Sequence, residues 1–252
     1  MTLFARMIGE GDEPLVFLHG FGGSHAIWGS IPDELSRDAP VLVYDLPGHG
    51  GSLDYPEAGS AKVAAQAILG DLAARGLQRA HLVGHSMGGA VAALMAIMDA
   101  PRVASLTLTA PGGFGSEINH RLLTRYAAAR DEASLTPCLE AMYGWMSPVR
   151  ADAMAQMLAT RAVPGQVETL VRIAGGLVRD GRQGQLPRER LEALEMPVSV
   201  VWGELDNVLP ARQARGLPWR FALHLLRDRG HMLPQEAPEE VMTIIRRTAG
   251  LP

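Results

Sequence analysis

The chain has 252 residues, of which 47% are hydrophobic and 20% are charged, and its formal net charge is −4. This length allows one large domain with a substantial hydrophobic core. The charge balance lacks the basic bias that nucleic-acid binding requires, so we expect no nucleic-acid partner. The single cysteine, Cys138, excludes an intramolecular disulfide, and we expect it to fill a buried apolar position.

No targeting or membrane signal is visible in the sequence. The first residues, MTLFARMIGEGDEP, do not combine a charged start with an apolar stretch, so they do not resemble a signal peptide. No apolar run reaches the roughly 18 residues that a membrane helix requires. We therefore expect a soluble, cytoplasmic protein without a membrane partner, whose oligomeric state the sequence leaves open.

In the first half of the chain, short apolar runs alternate with longer amphipathic ones. Such alternation predicts a mostly parallel, doubly wound sheet covered by helices, which is an α/β fold. We predict strands within residues 14–20, 39–50, 79–86 and 102–111, and helices within residues 25–36, 60–76 and 87–99.

From residue 112 to residue 187 the pattern is helical, and no stretch there predicts a convincing strand. Strand patterns return in 196–206 and 219–231, and a last helix is predicted from 238 to 248. We therefore predict a core made of residues 1–111 and 188–252, with residues 112–187 inserted as a helical cap, or lid.

The stretch Gly84-His85-Ser86-Met87-Gly88 places a serine between two glycines, where a strand turns into a helix. The glycines allow a turn tight enough to raise the serine hydroxyl above the sheet, as in a nucleophile elbow. The helix that follows directs its N-terminal amides toward the space over the serine, where negative charge is stabilised. The stretch lacks the lysine of a phosphate-binding loop and the spacing of a dinucleotide-binding loop.

A second glycine-rich loop, His19-Gly20-Phe21-Gly22-Gly23, follows the strand predicted in 14–20. Glycines there leave backbone N–H groups open, as an oxyanion hole requires. The expected donors are the amides of Phe21 and Met87. The plainer interpretation is a strand-to-helix connection without a catalytic role.

Two further loops complete a candidate triad of Ser86, Asp206 and His231. Asp206 follows the strand predicted in 196–206, and His231 follows the last predicted strand. A serine needs a histidine to take its proton, and the histidine needs a carboxylate to hold its tautomer. Glu204 is the nearest rival acid, and the strand that ends at Leu108-Thr109-Ala110-Pro111 offers no carboxylate.

A tentative set of residues around this triad is expected to form the substrate pocket. Residues of this type at helical spacing usually belong to a core, so the members from the cap also have a purely structural interpretation. No two histidines or carboxylates stand at metal-ligand spacing on one helix, so no metal is expected. The pocket candidates are His19, Gly20, His85, Met142, Tyr143 and Trp145.

Five motifs in order make the chain resemble the α/β-hydrolase superfamily over nearly its full length: HGFGG, DLPGHGGS, GHSMGG, WGELD and GHMLPQEAPEEV. The order nucleophile, acid, base is that of this superfamily. The shorter strings APGGFGSEIN and GRQG resemble the hydrolase-like domain of acetoin dehydrogenase dihydrolipoyl acetyltransferase components. Those components carry an N-terminal lipoyl domain. This sequence begins about where their hydrolase-like domain does, so we expect neither a lipoyl domain nor a cofactor.

The motifs and the resemblance together imply a serine hydrolase that acts on small to medium, largely apolar carboxylic esters. Three alternatives stay open: hydrolysis of a C–C bond in diketone-like compounds, acyl transfer to an alcohol or thiol, and a binding protein on a hydrolase scaffold. Hydrolases of ring-cleavage products often carry asparagine before the serine, where this chain has His85. Enzymes of the superfamily that use an aspartate nucleophile are disfavoured by Ser86.

Overall fold

In the computed structural model, which describes residues 3–252, strands and helices alternate through the first half of the chain. The strands are β1 (Ala5–Ile8), β2 (Leu15–Leu18), β3 (Val41–Tyr44), β4 (Ala80–His85), β5 (Val103–Thr109), β6 (Val178–Arg179), β7 (Arg182–Gln183), β8 (Val198–Gly203) and β9 (Ala222–Leu226). The α-helices are α1 (Ile31–Leu35), α2 (Ala61–Ala74), α3 (Met87–Met98), α4 (His120–Ala128), α5 (Glu132–Met142), α6 (Ala151–Arg161), α7 (Gln166–Leu177), α8 (Arg188–Glu192), α9 (Leu233–Glu236) and α10 (Pro238–Ala249).

Seven of these strands form one sheet in the order β1-β3-β2-β4-β5-β8-β9. Every neighbouring pair is parallel except β1 and β3. Strands β2, β3, β5 and β8 are buried along their whole length, as is expected in a parallel sheet that helices cover on both faces. The predicted fold class, a mostly parallel doubly wound sheet, is confirmed.

The winding of the sheet reverses at β2, and this reversal creates a crevice. The connection from β2 to β3, which contains α1, runs toward one edge, whereas the connections through α2 and α3 run toward the other. Because crossovers between parallel strands are right-handed, α1 lies on one face and α2 and α3 lie on the opposite face. The loops that follow the neighbouring strands β2 and β4 therefore lead to opposite faces of the sheet, and a crevice forms between them. Open α/β sheets bind their ligands in such a crevice.

The segment 112–187 connects β5 to β8, which are neighbours in the sheet. It contains helices α4 to α7, and also the antiparallel hairpin β6–β7, which the prediction of a strandless segment missed. Asp180 and Gly181 form the turn of the hairpin with φ of 53° and 74°. Positive φ at both central residues is what a type I′ hairpin turn requires, and Asp-Gly is one of its preferred sequences.

Three further elements differ from the sequence prediction. The helix predicted for 25–36 is broken into a 3₁₀ turn, His25–Trp28, and the short helix α1, because Gly29 between them has φ of 56°. Strand β1 was not predicted, since it is a short edge strand with little buried surface. The last strand of the sheet is also shorter than the predicted range. Within residues 3–252, no helix combines the length and the apolar character that crossing a membrane demands.

Candidate active site

Ser86 lies at the sharp turn from β4 into α3, with φ of 52° and ψ of −115°. A serine in this region of backbone conformation is strained by roughly 1–3 kcal/mol and needs its surroundings to hold it there. Its N–H donates to the Thr109 carbonyl oxygen at 2.9 Å, and its own carbonyl oxygen accepts the Gly112 N–H at 2.9 Å. The end of β5 therefore holds the strained serine from both sides.

The glycines around Ser86 allow α3 to begin directly beside the end of β2. A Cβ atom on Gly88 would lie 2.2 Å from the Leu18 carbonyl oxygen, and one on Gly84 would lie 2.5 Å from the Gly88 carbonyl oxygen. Both contacts are with backbone, which cannot move aside as a flexible side chain can. This close packing brings the Ser86 turn next to the loop that follows β2.

Ser86, His231 and Asp206 form one hydrogen-bonded line. His231 Nε2 lies 2.9 Å from Ser86 Oγ, and His231 Nδ1 lies 2.8 Å from Asp206 Oδ2. Because a carboxylate only accepts, Nδ1 carries the proton and Nε2 is left as an acceptor facing the serine hydroxyl. All three residues are buried. The arrangement can remove the hydroxyl proton and stabilise the resulting imidazolium.

The carboxylate of Asp206 is held by its own loop. Its Oδ1 accepts the N–H groups of Val208 and Leu209, both at 2.8 Å, which leaves Oδ2 for His231. The rival acid Glu204 is exposed, and its carboxylate makes no hydrogen bond or ion pair with the imidazole.

The loop that carries His231 is held by Glu236, which the sequence analysis did not single out. This buried carboxylate accepts three backbone N–H groups, from Gly144 and Gly230 on Oε2 and from Met232 on Oε1, at 2.8–2.9 Å. The His231 N–H itself donates to the Met142 carbonyl oxygen. Glu236 thus joins the end of α5 to the histidine loop. Its only sequence signal is an acidic residue five positions after the histidine.

The loop after β2 holds the Gly20–Phe21 peptide in one orientation. The Gly20 carbonyl oxygen accepts the His19 Nδ1–H at 2.8 Å and the Gly23 N–H at 3.1 Å, while His19 Nε2 accepts the Leu46 N–H at 2.9 Å. Because the C=O and N–H of a peptide point in opposite directions, the Phe21 N–H is turned away from these partners. No protein acceptor in the described residues takes the N–H of Phe21 or Met87.

Three buried histidines around the site are neutral. Burial lowers the pKa of His19, and it lowers the pKa of His49 to about 3, with His19 as a second cause. The hydrogen bonds agree, since His49 Nε2 accepts the Gly22 N–H at 3.1 Å, which a protonated nitrogen could not do. His85 has its pKa lowered well below its ordinary value by burial and by His231, whose ring centre is 5.0 Å away.

Two cavities of very different size meet at Ser86. The larger, of about 580 Å³, runs between the start of α2 and the β6–β7 hairpin, and its lining includes Phe21 and Met87. The smaller, of about 20 Å³, lies between Ser86 and His231. Its other walls include the predicted pocket residues Gly20, His85 and Met142, together with Tyr126, Met157 and Met232.

The other three predicted pocket residues do not lie on either cavity. His19 lies behind the loop after β2, with both ring nitrogens bonded to backbone. Tyr143 and Trp145 follow the end of α5 and line a separate groove between α5 and α6. The Tyr143 hydroxyl donates to Gln235, whereas the Trp145 side chain is 87% exposed. Gly144, which lies between them, is packed against the backbone of Asp228 and Arg229.

Sequence reasoning also missed Gln183, which lies in β7 and lines the larger cavity. Its Oε1 accepts the Gly113 N–H at 3.1 Å, and its Nε2 donates to the Glu117 carbonyl oxygen at 3.2 Å. Gln183 thereby ties the hairpin to the chain that follows β5. The Asp180-Gly181 turn was the signal that could have located it. Within the described residues, no group of three potential metal ligands is close enough to hold an ion.

The sequence and the fold both match known proteins. A model of the alpha/beta hydrolase family matches residues 15–244. The acetyltransferase component of the acetoin cleaving system from Cupriavidus necator is 34% identical over 96% of this chain, which spans 65% of that protein. A 2-hydroxy-6-oxononadienedioate/2-hydroxy-6-oxononatrienedioate hydrolase from Burkholderia vietnamiensis is 28% identical over 95% of this chain and 89% of its own. A solved meta-cleavage product hydrolase from Pseudomonas fluorescens has a TM-score of 0.87 at 21% identity, covering 98% of this chain and 94% of its own.

Proposed function

We propose that this chain, which belongs to the alpha/beta hydrolase family, is a serine hydrolase that cleaves uncharged carboxylic esters. The observation that carries the proposal is the buried hydrogen-bonded line from Asp206 through His231 to Ser86. Such a line converts a poor nucleophile into an effective one at neutral pH.

In the first half of the reaction, Ser86 Oγ attacks the ester carbonyl carbon and its proton passes to His231 Nε2. The bond between the carbonyl carbon and the alcohol oxygen then breaks, and the leaving oxygen takes that proton. Asp206 stabilises the imidazolium in between without itself taking the proton. In the second half, water attacks the acyl carbon and gives a proton to His231 Nε2. The bond between that carbon and Ser86 Oγ then breaks, His231 returns the proton to Oγ, and the acid is released.

The negative oxygen of each tetrahedral intermediate is assigned to the amides of Phe21 and Met87. Both N–H groups are unbonded within the described protein, and Met87 is the first residue of α3, where the helix dipole adds positive potential. The orientation of the Phe21 amide is set by the bonds to the Gly20 carbonyl oxygen. A donor fixed before the reaction begins needs no reorganisation in the transition state.

The larger cavity favours an uncharged substrate. No arginine, lysine or histidine is found among the described residues of its lining, and its single charged side chain is the exposed carboxylate of Glu57. A buried substrate carboxylate without a cationic partner would lose several kcal/mol of solvation. The Burkholderia vietnamiensis relative is named for a dioate, so hydrolysis of such a doubly charged substrate is a weaker candidate here than hydrolysis of an uncharged ester.

The proposal is tested by fluorophosphonate labelling together with ester hydrolysis followed by a pH indicator. The wild type is expected to be labelled and to hydrolyse methyl octanoate, whereas Ser86→Ala is expected to do neither. Ser60→Ala is the matched control, because Ser60 lines the same cavity and should not affect labelling. A wild type that is neither labelled nor active on any ester would refute the proposal. Faster turnover of a diketone by the same preparation would move the function to C–C cleavage, and faster transfer of the acyl group to a thiol than to water would move it to acyl transfer.

A further inference from the structure

The two cavities at Ser86 differ in their relation to the general base. Ser86 and Phe21 line both cavities, but His231 lines only the small one. Met87, the second oxyanion donor, lines only the large one. A substrate whose carbonyl carbon lies at Ser86 therefore has two spaces for its acyl chain and its leaving alcohol, one of about 20 Å³ and one of about 580 Å³.

The chemistry decides which group enters which space. The leaving oxygen must lie beside His231 Nε2, because that nitrogen protonates it as the bond to the carbonyl carbon breaks. The water that later attacks the acyl-serine must give its proton to the same nitrogen, so it enters the same place. The small cavity is thus the place of both the leaving alcohol and the incoming water, and the acyl group is left with the large cavity.

We propose, on the basis of the serine-hydrolase function above, that the site selects esters of a large uncharged acid with a very small alcohol. A space of about 20 Å³ is on the scale of one water molecule, so an alkyl chain would fit there only if the walls moved. The preferred leaving group is therefore methanol or a similarly small alcohol.

The walls of the small cavity are held in place by contacts with the rest of the protein. The Tyr126 hydroxyl donates to the Gly22 carbonyl oxygen at 3.3 Å, and the buried Arg161 guanidinium lies 4.5 Å from the centre of the Tyr126 ring. Met142 and Met157 are both buried in the core. Enlarging the cavity would require these packed side chains to move together, which close-packed interiors resist.

The decisive experiment compares two isomeric esters, methyl octanoate and heptyl acetate. They have the same atoms and similar reactivity, but one places the chain on the acyl side and the other on the alcohol side. We expect kcat/KM for methyl octanoate to exceed that for heptyl acetate at least tenfold. Equal values, or a preference for heptyl acetate, would overturn the assignment.

A variant tests the cause of this preference. Met157→Ala opens the small cavity and should raise turnover of heptyl acetate relative to methyl octanoate. Met242→Ala is the matched control, because Met242 is equally buried but lies in α10 and lines neither cavity. An unchanged ratio in folded Met157→Ala would count against the small cavity as the cause. If Met157→Ala does not fold, the ratio measured for the wild type still decides the proposal.

Competing acceptors give an independent measurement on the wild type. Methanol should divert the octanoyl-serine to methyl octanoate when ethyl octanoate is hydrolysed, whereas 1-butanol at the same concentration should divert far less. Equal diversion by the two alcohols would contradict the proposal.

Fluorophosphonate labelling distinguishes failure of the serine-hydrolase function from failure of the cavity assignment. An unlabelled protein refutes the serine-hydrolase function itself, whereas a labelled protein that hydrolyses both isomers equally refutes only the assignment of the cavities.

Discussion

Lowering the pH from 7.5 to 5.5 is expected to destabilise the folded chain, because His19, His49 and His85 are buried in neutral form. Burial lowers the pKa of each, to about 3 for His49 and well below the ordinary value for His85. In the unfolded chain the same side chains titrate near their ordinary pKa of about 6.5. As the pH falls, the unfolded state therefore binds protons first, and the free energy of unfolding decreases.

The size of this effect follows from linkage. A histidine that stays neutral in the folded state while it titrates at about 6.5 in the unfolded state removes about 1.4 kcal/mol between pH 7.5 and pH 5.5. His49 and His85 together account for about 3 kcal/mol, and His19 adds a further loss of the same sign. Since domains are stable by about 5–15 kcal/mol, this is a large fraction of the total.

Urea unfolding followed by circular dichroism at pH 7.5, 6.5 and 5.5 measures the loss directly. His49→Gln keeps an acceptor for the Gly22 N–H but cannot take up the proton, so it should reduce the pH-dependent loss by about 1.4 kcal/mol. His120→Gln is the control, because His120 is exposed at the start of α4 and should leave the dependence unchanged. A free energy of unfolding that is the same at pH 7.5 and pH 5.5 would refute the reasoning. So would a His49→Gln variant with the full dependence of the wild type.

Two substitutions test the groups that hold His231 in the proposed triad. Asp206→Asn keeps an oxygen for the N–H groups of Val208 and Leu209 but presents an amide N–H to His231, which forces the wrong tautomer. We expect kcat of Asp206→Asn to fall on the order of 10⁴-fold, with little change in the urea midpoint. The control Glu204→Gln should keep a near-normal kcat. A near-normal kcat for Asp206→Asn would mean that another residue is the acid of the triad. Glu236→Gln replaces a charged acceptor of three N–H groups, so we expect a loss of about 2 kcal/mol in the free energy of unfolding, together with a lower kcat. Unchanged stability would show that Glu236 does not hold the His231 loop.

The sheet, and the convergence of Ser86, Asp206 and His231 at one place, could be predicted because both depend on local patterns. Buried parallel strands have mostly apolar sequences. Strands β2 to β5 and β8 accordingly lie within the predicted ranges. The glycines around Ser86 indicate a tight turn, because few other residues would fit there. The carboxyl ends of parallel strands meet at one edge of a sheet, so residues that follow different strands could be expected to converge.

The walls of the pocket could not be predicted in the same way. Tyr143 and Trp145 have the composition of a binding surface, yet both line a separate groove, where the Tyr143 hydroxyl is bonded to Gln235 and Trp145 is exposed. Gln183 and Glu236 are ordinary polar residues in the sequence, and only long-range contacts give them a role. Where a side chain points in a cap depends on the packing of several helices at once, which no local pattern records.

The sequence by itself determined the alternation of strands and helices in the core, the tight turn at Ser86 and the positions of Asp206 and His231 in loops after strands. These follow from residue types whose backbone preferences and periodicity act over a few positions. Only the tertiary structure decided that two unequal cavities meet at the serine and that His231 faces the smaller one. Cavity volume is what remains after side chains from distant segments have packed, so it depends on all of them together and is encoded in none of them alone.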